Sequence, residues 1–228
     1  MALGWRSNDF KGETTIFNNH RNSNENAVLN AAKTVAGRLK VPIVVLNDIN
    51  HDESKAIIDS SEFLFHLSES FNYSHSDYMA IISSSSAFLS GPSGAMNAGS
   101  ILSKPTLLFD WPSFHVELYN PWIYYLPSQL TGPNGFIHSH KNRTYNCILV
   151  NELPYNGISI TKKGFHITAL SQSSLALEFG NFIESIIKCS TKTSNPKSIL
   201  HLLQEEVAMK NSNILCSEVF NHIKKRAS

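Results

Sequence analysis

The chain has 228 residues, which is enough to bury a full core, and its 42% hydrophobic content is that of a globular protein. Its formal net charge is only +1, so no broad positive field favours nucleic acid or a membrane surface as a partner. The three cysteines form no metal-binding or redox motif, and we expect free thiols in a reducing cytoplasm. The sequence contains no apolar run long enough for an integral membrane segment, and its amino terminus does not resemble a secretory signal.

Apolar patterns with strand and helix character alternate along the first 110 residues. Strands are predicted at residues 2–5, 41–46, 62–66, 86–89 and 105–109. Helices are predicted at residues 24–40, 48–60, 74–82 and 94–102. This alternation predicts an α/β fold, namely a three-layer Rossmann-like parallel sheet with helices on both faces.

The pattern changes after Asp110. Residues 110–146 are rich in proline and aromatic side chains and show no clear periodicity, so we expect a long loop there. Helices are predicted again at residues 175–187, 197–210 and 213–225. We therefore divide the chain into a Rossmann-like domain at residues 1–190 and a helical extension at residues 191–228.

A glycine-rich turn, Ser90-Gly-Pro-Ser-Gly94, joins a predicted strand to the next predicted helix. It lies at the carboxyl end of the strand, where parallel α/β sheets bind their ligands. Glycine lets the backbone approach a ligand closely, and the free N–H groups at a helix start attract anions. The turn is thus typical of a diphosphate cradle, with four candidate residues: Gly91, Ser93, Gly94 and Ala95.

Two other interpretations of this turn stay open. The segment from Gly91 to Ala95 is close to the Gly-x-Ser-x-Gly elbow of serine hydrolases, with Ser93 as the nucleophile. Asp110 and either His138 or His140 follow in the order that such a triad requires. Alternatively, the turn is a plain connection in which a serine caps the helix and no ligand binds.

The stretch "DYMAIISSSSAFLSGPSGAMNAGSILSKPTLLFDWPSF", residues 77–114, resembles the donor-binding C-terminal half of GT-B glycosyltransferases. It is most similar to a bacterial family of surface-polysaccharide glycosyltransferases. Two earlier motifs also resemble that family, with Gly4 in the place of a histidine: Gly4-Trp5-Arg6 and His20-Arg21-Asn22. The resemblance covers roughly residues 4–185 and is closest over residues 77–114.

The resemblance implies a glycosyltransferase that takes a nucleotide-sugar donor as substrate, with no bound cofactor and no metal, and works in glycan or surface-polysaccharide synthesis. It implies that the donor diphosphate rests on the helix start at Ser93 and Gly94, and that Arg6 and Arg21 stabilise the leaving diphosphate. A complete GT-B enzyme has two such domains, and this chain has room only for the donor-binding one. Three alternatives follow: the chain is a fragment, a partner chain supplies the acceptor domain, or the fold is minimal. A non-catalytic nucleotide-sugar-binding subunit that needs a partner is a further expectation.

Several polar side chains are candidates for roles beside this turn. Asp77 is expected to shape the donor site or to cap the helix that it opens, and Asp110 to contact the sugar or acceptor or to hold its loop. His115 and Glu117 are the nearest candidates for a general base. The pair His138 and His140 lacks a third ligand, so no metal site is predicted.

Overall fold

The structure is a computed structural model that describes residues 1–5, 23–67, 74–92, 96–111, 121–132, 134, 137–138, 164, 166–209 and 214–216. The described strands are β1 Ala2–Gly4, β2 Ile43–Val45, β3 Leu64–His66, β4 Phe88–Ser90, β5 Thr106–Trp111, β6 Ile123–Pro127, β7 Gln129–Thr131, β8 Ile137–His138, β9 His166–Thr168 and β10 Leu215–Cys216. The described helices are α1 Glu25–Leu39, α2 Asp52–Asp59, α3 His75–Ser84, α4 Met96–Ile101, α5 Gln172–Lys192 and α6 Pro196–Met209.

The main sheet has seven strands in the order β10-β6-β5-β4-β1-β2-β3. Six of them are parallel, and β10 pairs antiparallel with β6 at the edge. The parallel strands follow the 3-2-1-4-5-6 order of Rossmann folds, which confirms the predicted α/β Rossmann-like architecture. In this order the chain reverses direction across the sheet between β1 and β4, and that pair marks the topological switch point.

Helix α1 shows how the local sequence sets these elements. Its buried side chains recur at helical spacing along one face: Val28, Leu29, Ala31, Ala32, Val35 and Ala36. The Asn24 side chain caps its start by accepting a hydrogen bond from the Ala27 amide at 3.0 Å. The helix ends at Lys40, which adopts a left-handed conformation with φ of 54° just before Pro42 and strand β2.

Helices cover both faces of the main sheet, as predicted. Successive strand residues point to opposite faces, so Leu89 joins the larger core under α1 and α5, whereas Phe88 joins a smaller core with Ile82 of α3. The larger core is held by two ring contacts, Phe109 with Phe179 and Tyr124 with Phe182, each with centroids 5.2 Å apart. Burying one such phenylalanine stabilises the fold by about 1.5–3 kcal/mol.

The structure corrects the prediction of a long loop after Asp110. Strand β6 lies within it, is buried at all five residues and pairs with β5, and β7 and β8 follow in a separate three-stranded sheet with β9. The predicted helix at residues 213–225 is also wrong at its start, since Leu215 and Cys216 form β10. Both segments are short apolar runs, for which helical and strand periodicity are hard to tell apart.

The predicted boundary at residue 190 falls inside α5, which continues to Lys192. Beyond it, Leu203 and Val207 of α6 join the larger core, and β10 joins the main sheet. The division into domains at residues 1–190 and 191–228 stays a prediction.

Across the described ranges, the structure contains no helix with the length and apolar character that crossing a membrane requires.

Candidate functional site at the sheet switch point

The carboxyl ends of β1, β4 and β5 lie side by side and bring three residues to one edge of the sheet. Trp5 follows β1, Gly91 follows β4, and Asp110 lies near the end of β5. Ser23, just before α1, reaches the same edge and is only 2% exposed. These residues surround the switch point, where an open parallel sheet leaves a crevice for ligands.

Gly91 is required there by close packing. Its amide donates a 2.8 Å hydrogen bond to the Gly4 carbonyl, which continues the pairing of β1 and β4. A Cβ atom at Gly91 would lie 2.8 Å from Trp5 Cβ and 3.2 Å from Ser23 Oγ, so a side chain would displace its neighbours. Its backbone is not left-handed, so the glycine serves close approach, and its role in donor binding stays a prediction.

The Asn47 side chain fixes the position of Trp5. Its Oδ1 accepts a hydrogen bond from the Trp5 amide at 2.9 Å, and its Nδ2 donates to the Trp5 carbonyl at 2.8 Å. The Asn47 carbonyl in turn lies 2.8 Å from Nε2 of His66, at the end of β3. One amide side chain therefore extends the pairing between β1 and β2 by one residue and holds the chain as it leaves β1.

Asp110 has an unusual backbone and a buried side chain. Its φ is 52°, in the left-handed region that aspartate tolerates better than most residues, and the pairing of β5 with β6 shifts register between Phe109 and Trp111. The carboxyl is 2% exposed, and its Oδ1 accepts a 2.6 Å hydrogen bond from the Leu170 amide at the start of α5. Asp110 thus ties the end of β5 to the start of α5.

Burial raises the pKa of Asp110 from its ordinary value of 3.8 to about 6. Two neighbours lower the pKa less strongly, namely the Leu170 amide and the Ser23 hydroxyl. The Ser23 hydroxyl lies beside the carboxyl without completing a hydrogen bond of ordinary geometry to it. Near neutral pH the carboxyl is therefore an anion held in a poorly solvated place, one strand away from the switch point.

Three buried polar atoms at this edge have no hydrogen-bond partner among the described residues: Trp5 Nε1, Ser23 Oγ and Asp110 Oδ2. An unsatisfied buried polar group costs about 1–3 kcal/mol, so folded proteins keep few of them. Their occurrence together at the ligand-binding edge of the sheet distinguishes this edge from an ordinary packed end of a domain.

Asp77 forms a capping box at the start of α3. Its carboxylate accepts hydrogen bonds from the amide and the hydroxyl of Ser74, at 2.7 and 2.8 Å, while the Ser74 hydroxyl accepts from the Asp77 amide. These hydrogen bonds lower the pKa of Asp77, which is fully exposed. The structure thus gives Asp77 a helix-capping role as predicted, but in the first turn of α3 and not at the cap position, which Ser74 occupies. A contact with the donor stays a prediction.

Most of the other predicted site residues lie outside the described residues: Arg6, Arg21, Ser93, Gly94, Ala95, His115, Glu117 and His140. His138 lies on β8, in the small sheet. Of the candidates for the hydrolase triad, the structure describes Asp110 and His138, and one oxygen of Asp110 is occupied by the Leu170 amide. In the ranges that the structure covers, no cluster of three or more His, Cys, Asp or Glu residues is placed to hold a metal ion.

Trp5, Ser23 and Asn47 were not among the predicted site residues. Each lies close to the end of a strand or the start of a helix at the carboxyl edge of the sheet. That position was the one feature of the sequence that could have identified these residues as part of the site. The pairing of Asp110 with Leu170 joins residues 60 positions apart, and no local pattern encodes it.

No family model matches the sequence, and no curated protein matches it. Among solved structures, the fold is similar to that of E. coli heptosyltransferase WaaC with ADP, with a TM-score of 0.43 and 11% identity. The match covers 56% of this chain and 37% of that chain, so the chain spans well under half of the enzyme that it matches. The Rossmann-like assignment therefore stands on the strand order of this chain itself.

Proposed function

We propose that the chain binds a nucleotide-sugar in the crevice between the carboxyl ends of β1 and β4 and is the donor-binding half of a glycosyltransferase. The observation that supports this proposal most strongly is the cluster of buried polar atoms of Trp5, Ser23 and Asp110, which have no partner among the described residues, at and beside the switch point of a 3-2-1-4-5-6 sheet. The resemblance of residues 77–114 to GT-B donor domains is the reason for proposing a nucleotide-sugar as the ligand.

The proposed mechanism needs no cofactor and no metal from this chain. The turn after Gly91, including Ser93, Gly94 and Ala95, receives the diphosphate through backbone N–H groups. Arg6 and Arg21 stabilise the negative charge that develops on the leaving nucleotide diphosphate.

Because the side chain of Asp110 is buried and bonded to Leu170, we propose that it holds the site in shape. His115 and Glu117 stay the proposed candidates for the general base. The glycan acceptor comes from a second domain or a partner chain, and the reaction belongs to cytoplasmic synthesis of a glycan or surface polysaccharide.

A thermal-shift panel of UDP-, GDP-, ADP- and CMP-sugars tests the proposal. A ligand at about 100 times its Kd stabilises the folded state by about 2.7 kcal/mol, which is a readily measured shift. We expect one nucleotide class to give the largest shift. We expect that shift to disappear in Gly91→Val, whose side chain would occupy space at the switch point, and to persist in Gly37→Ala, where a Cβ meets no neighbour within 4 Å.

Two further assays separate the alternatives. A chain that binds the nucleotide-sugar but transfers no sugar without a partner is the non-catalytic donor-binding subunit. Covalent labelling of the folded chain by a fluorophosphonate probe, abolished by Ser93→Ala, would contradict the proposal and support the serine hydrolase. A panel in which no nucleotide-sugar shifts the folded protein would also contradict it.

A further inference from the structure

The carboxyl group of Asp110 lies at the edge of the sheet where the proposed ligand binds. Strand β5 is the immediate neighbour of β4, and the Asp110 side chain is 2% exposed. Its Oδ1 accepts from the Leu170 amide, whereas its Oδ2 has no hydrogen-bond partner in the described part of the chain. Ser23, the neighbour of this carboxyl, also lies against Gly91 at the switch point.

No charged group in the described part of the chain is among the influences on the pKa of Asp110. The described titratable side chains of the elements around it are Glu25, Lys33 and Arg38 in α1, Glu178, Glu184, Lys188, Cys189 and Lys192 in α5, and Tyr124 and Tyr125 in β6. Glu25 accepts a hydrogen bond from Ser54. The influences on the pKa of Asp110 are its burial and two uncharged hydrogen-bonding groups, so no described ion pair stabilises the carboxylate.

An anion that binds in this crevice meets, besides the two arginines that the proposed function assigns to the diphosphate, a second negative charge in a region of low dielectric. Coulomb repulsion is strong there, because little water screens it. We propose that the nucleotide-sugar binds together with one proton, which Asp110 takes up. This inference rests on the proposed function. The proton moves from solvent to Oδ2 of Asp110 and returns to solvent when the ligand leaves, and no bond of the ligand is broken.

Ser23 Oγ can pair with Oδ2 in either protonation state, because a hydroxyl group both donates and accepts. It can donate to the carboxylate, which lowers the pKa of Asp110, and it can accept from the O–H of the neutral carboxyl group, so taking up the proton loses no partner. Oδ1 keeps its bond from the Leu170 amide in either state. The raised pKa of Asp110, about 6, supports the proposal because the proton can then be gained near neutral pH at modest cost.

The test is the pH dependence of Kd for the nucleotide-sugar that gives the largest thermal shift in the panel. Every phosphate of a nucleotide-sugar is esterified or part of the diphosphate bridge, so the phosphates keep a constant charge between about pH 5 and pH 8. We expect Kd to be nearly constant below about pH 6 and to rise by about tenfold for each pH unit above it. In Asp110→Asn, which is neutral throughout, we expect Kd to be low and independent of pH.

Asp59→Asn is the matched control, because Asp59 is an exposed aspartate at the end of α2. It should reproduce the pH dependence of the wild type. A wild-type Kd that does not change with pH, or a slope in Asp110→Asn equal to that of the wild type, would overturn the inference and leave the proposed function standing. Absence of nucleotide-sugar binding at every pH would overturn both.

Calorimetry on the wild type gives a second test that needs no variant. Titrations at about pH 7.5 in two buffers of different ionisation enthalpy report how many protons the complex takes up. We expect close to one proton for each nucleotide-sugar bound. Heat that is the same in both buffers means that no proton is taken up, and it would overturn the inference.

Discussion

Replacing Asp110 by asparagine is predicted to stabilise the folded protein at alkaline pH. The native pKa of Asp110 is raised from 3.8 to about 6, so the folded state resists losing this proton more than the unfolded chain does. The contribution to stability is fully present below about pH 3.8 and is lost as the pH rises through about 6. Above that pH the folded protein must hold a poorly solvated carboxylate, and asparagine removes this charge.

The structure allows the size of the effect to be worked out. A difference between 3.8 and about 6 corresponds to about 3 kcal/mol at about 1.36 kcal/mol for each pKa unit. The group is 2% exposed, so solvent screening reduces this value little. Asparagine also suits the site, because it tolerates a left-handed φ of 52°, can accept from the Leu170 amide and can donate to Ser23 Oγ.

Urea unfolding of the wild type and of Asp110→Asn, followed by circular dichroism between about pH 4 and pH 8, measures this difference. We expect the variant to be more stable by up to about 3 kcal/mol at pH 8, with the gain shrinking toward zero near pH 4. Asp59→Asn, at an exposed position, should stay close to the wild type at every pH. A variant that is less stable than the wild type at pH 8, or a difference that does not depend on pH, would refute the reasoning.

Three further substitutions test the packing around the switch point and the core. Gly91→Ala places a Cβ 2.8 Å from Trp5 Cβ and should cost about 1–3 kcal/mol, seen as a lower urea midpoint with an unchanged m-value. Asn47→Ala removes both hydrogen bonds to the Trp5 backbone and should cost about 1–3 kcal/mol in the same assay. Phe179→Ala empties a fully buried site and should cost about 3–5 kcal/mol, whereas Leu177→Ala, at an exposed position of the same helix, should change stability by less than about 0.5 kcal/mol.

The elements that the sequence predicted well are those with strong local signals. The apolar face of α1, the helix-capping alternative for Asp77 and the buried run of β2 each follow from residues close together in the chain. Alternation of such elements was enough to predict a parallel sheet with helices on both faces. It did not predict the exact strand order, which depends on contacts between distant segments.

The elements that were missed lack such signals. Strand β6 is a run of five residues that begins two positions after Pro121 and ends at Pro127, and such a short aromatic run between prolines is also typical of a loop. Its burial comes from pairing with β5 and from packing against α5, which lies some 50 residues later in the chain.

The residues that surround Asp110 could not be predicted from the sequence for the same reason. The sequence placed this residue at the right edge of the sheet, but its neighbours Ser23 and Leu170 lie far from it in the chain. The hydrogen bond on which the proposed positioning role of Asp110 rests forms only when these segments are brought together.

The central claim, that a nucleotide-sugar binds at the switch point, can be tested most directly by NMR on the three tryptophan indoles. Trp5 lies at the carboxyl edge beside Gly91, whereas Trp122 precedes β6 at the opposite edge. With the indole signals assigned by Trp→Phe variants, we expect a titration to shift the Trp5 Nε1–H resonance in a saturable way and to leave that of Trp122 in place. Binding that shifts only Trp122, or that leaves the Trp5 resonance unchanged at saturation, would contradict the claim.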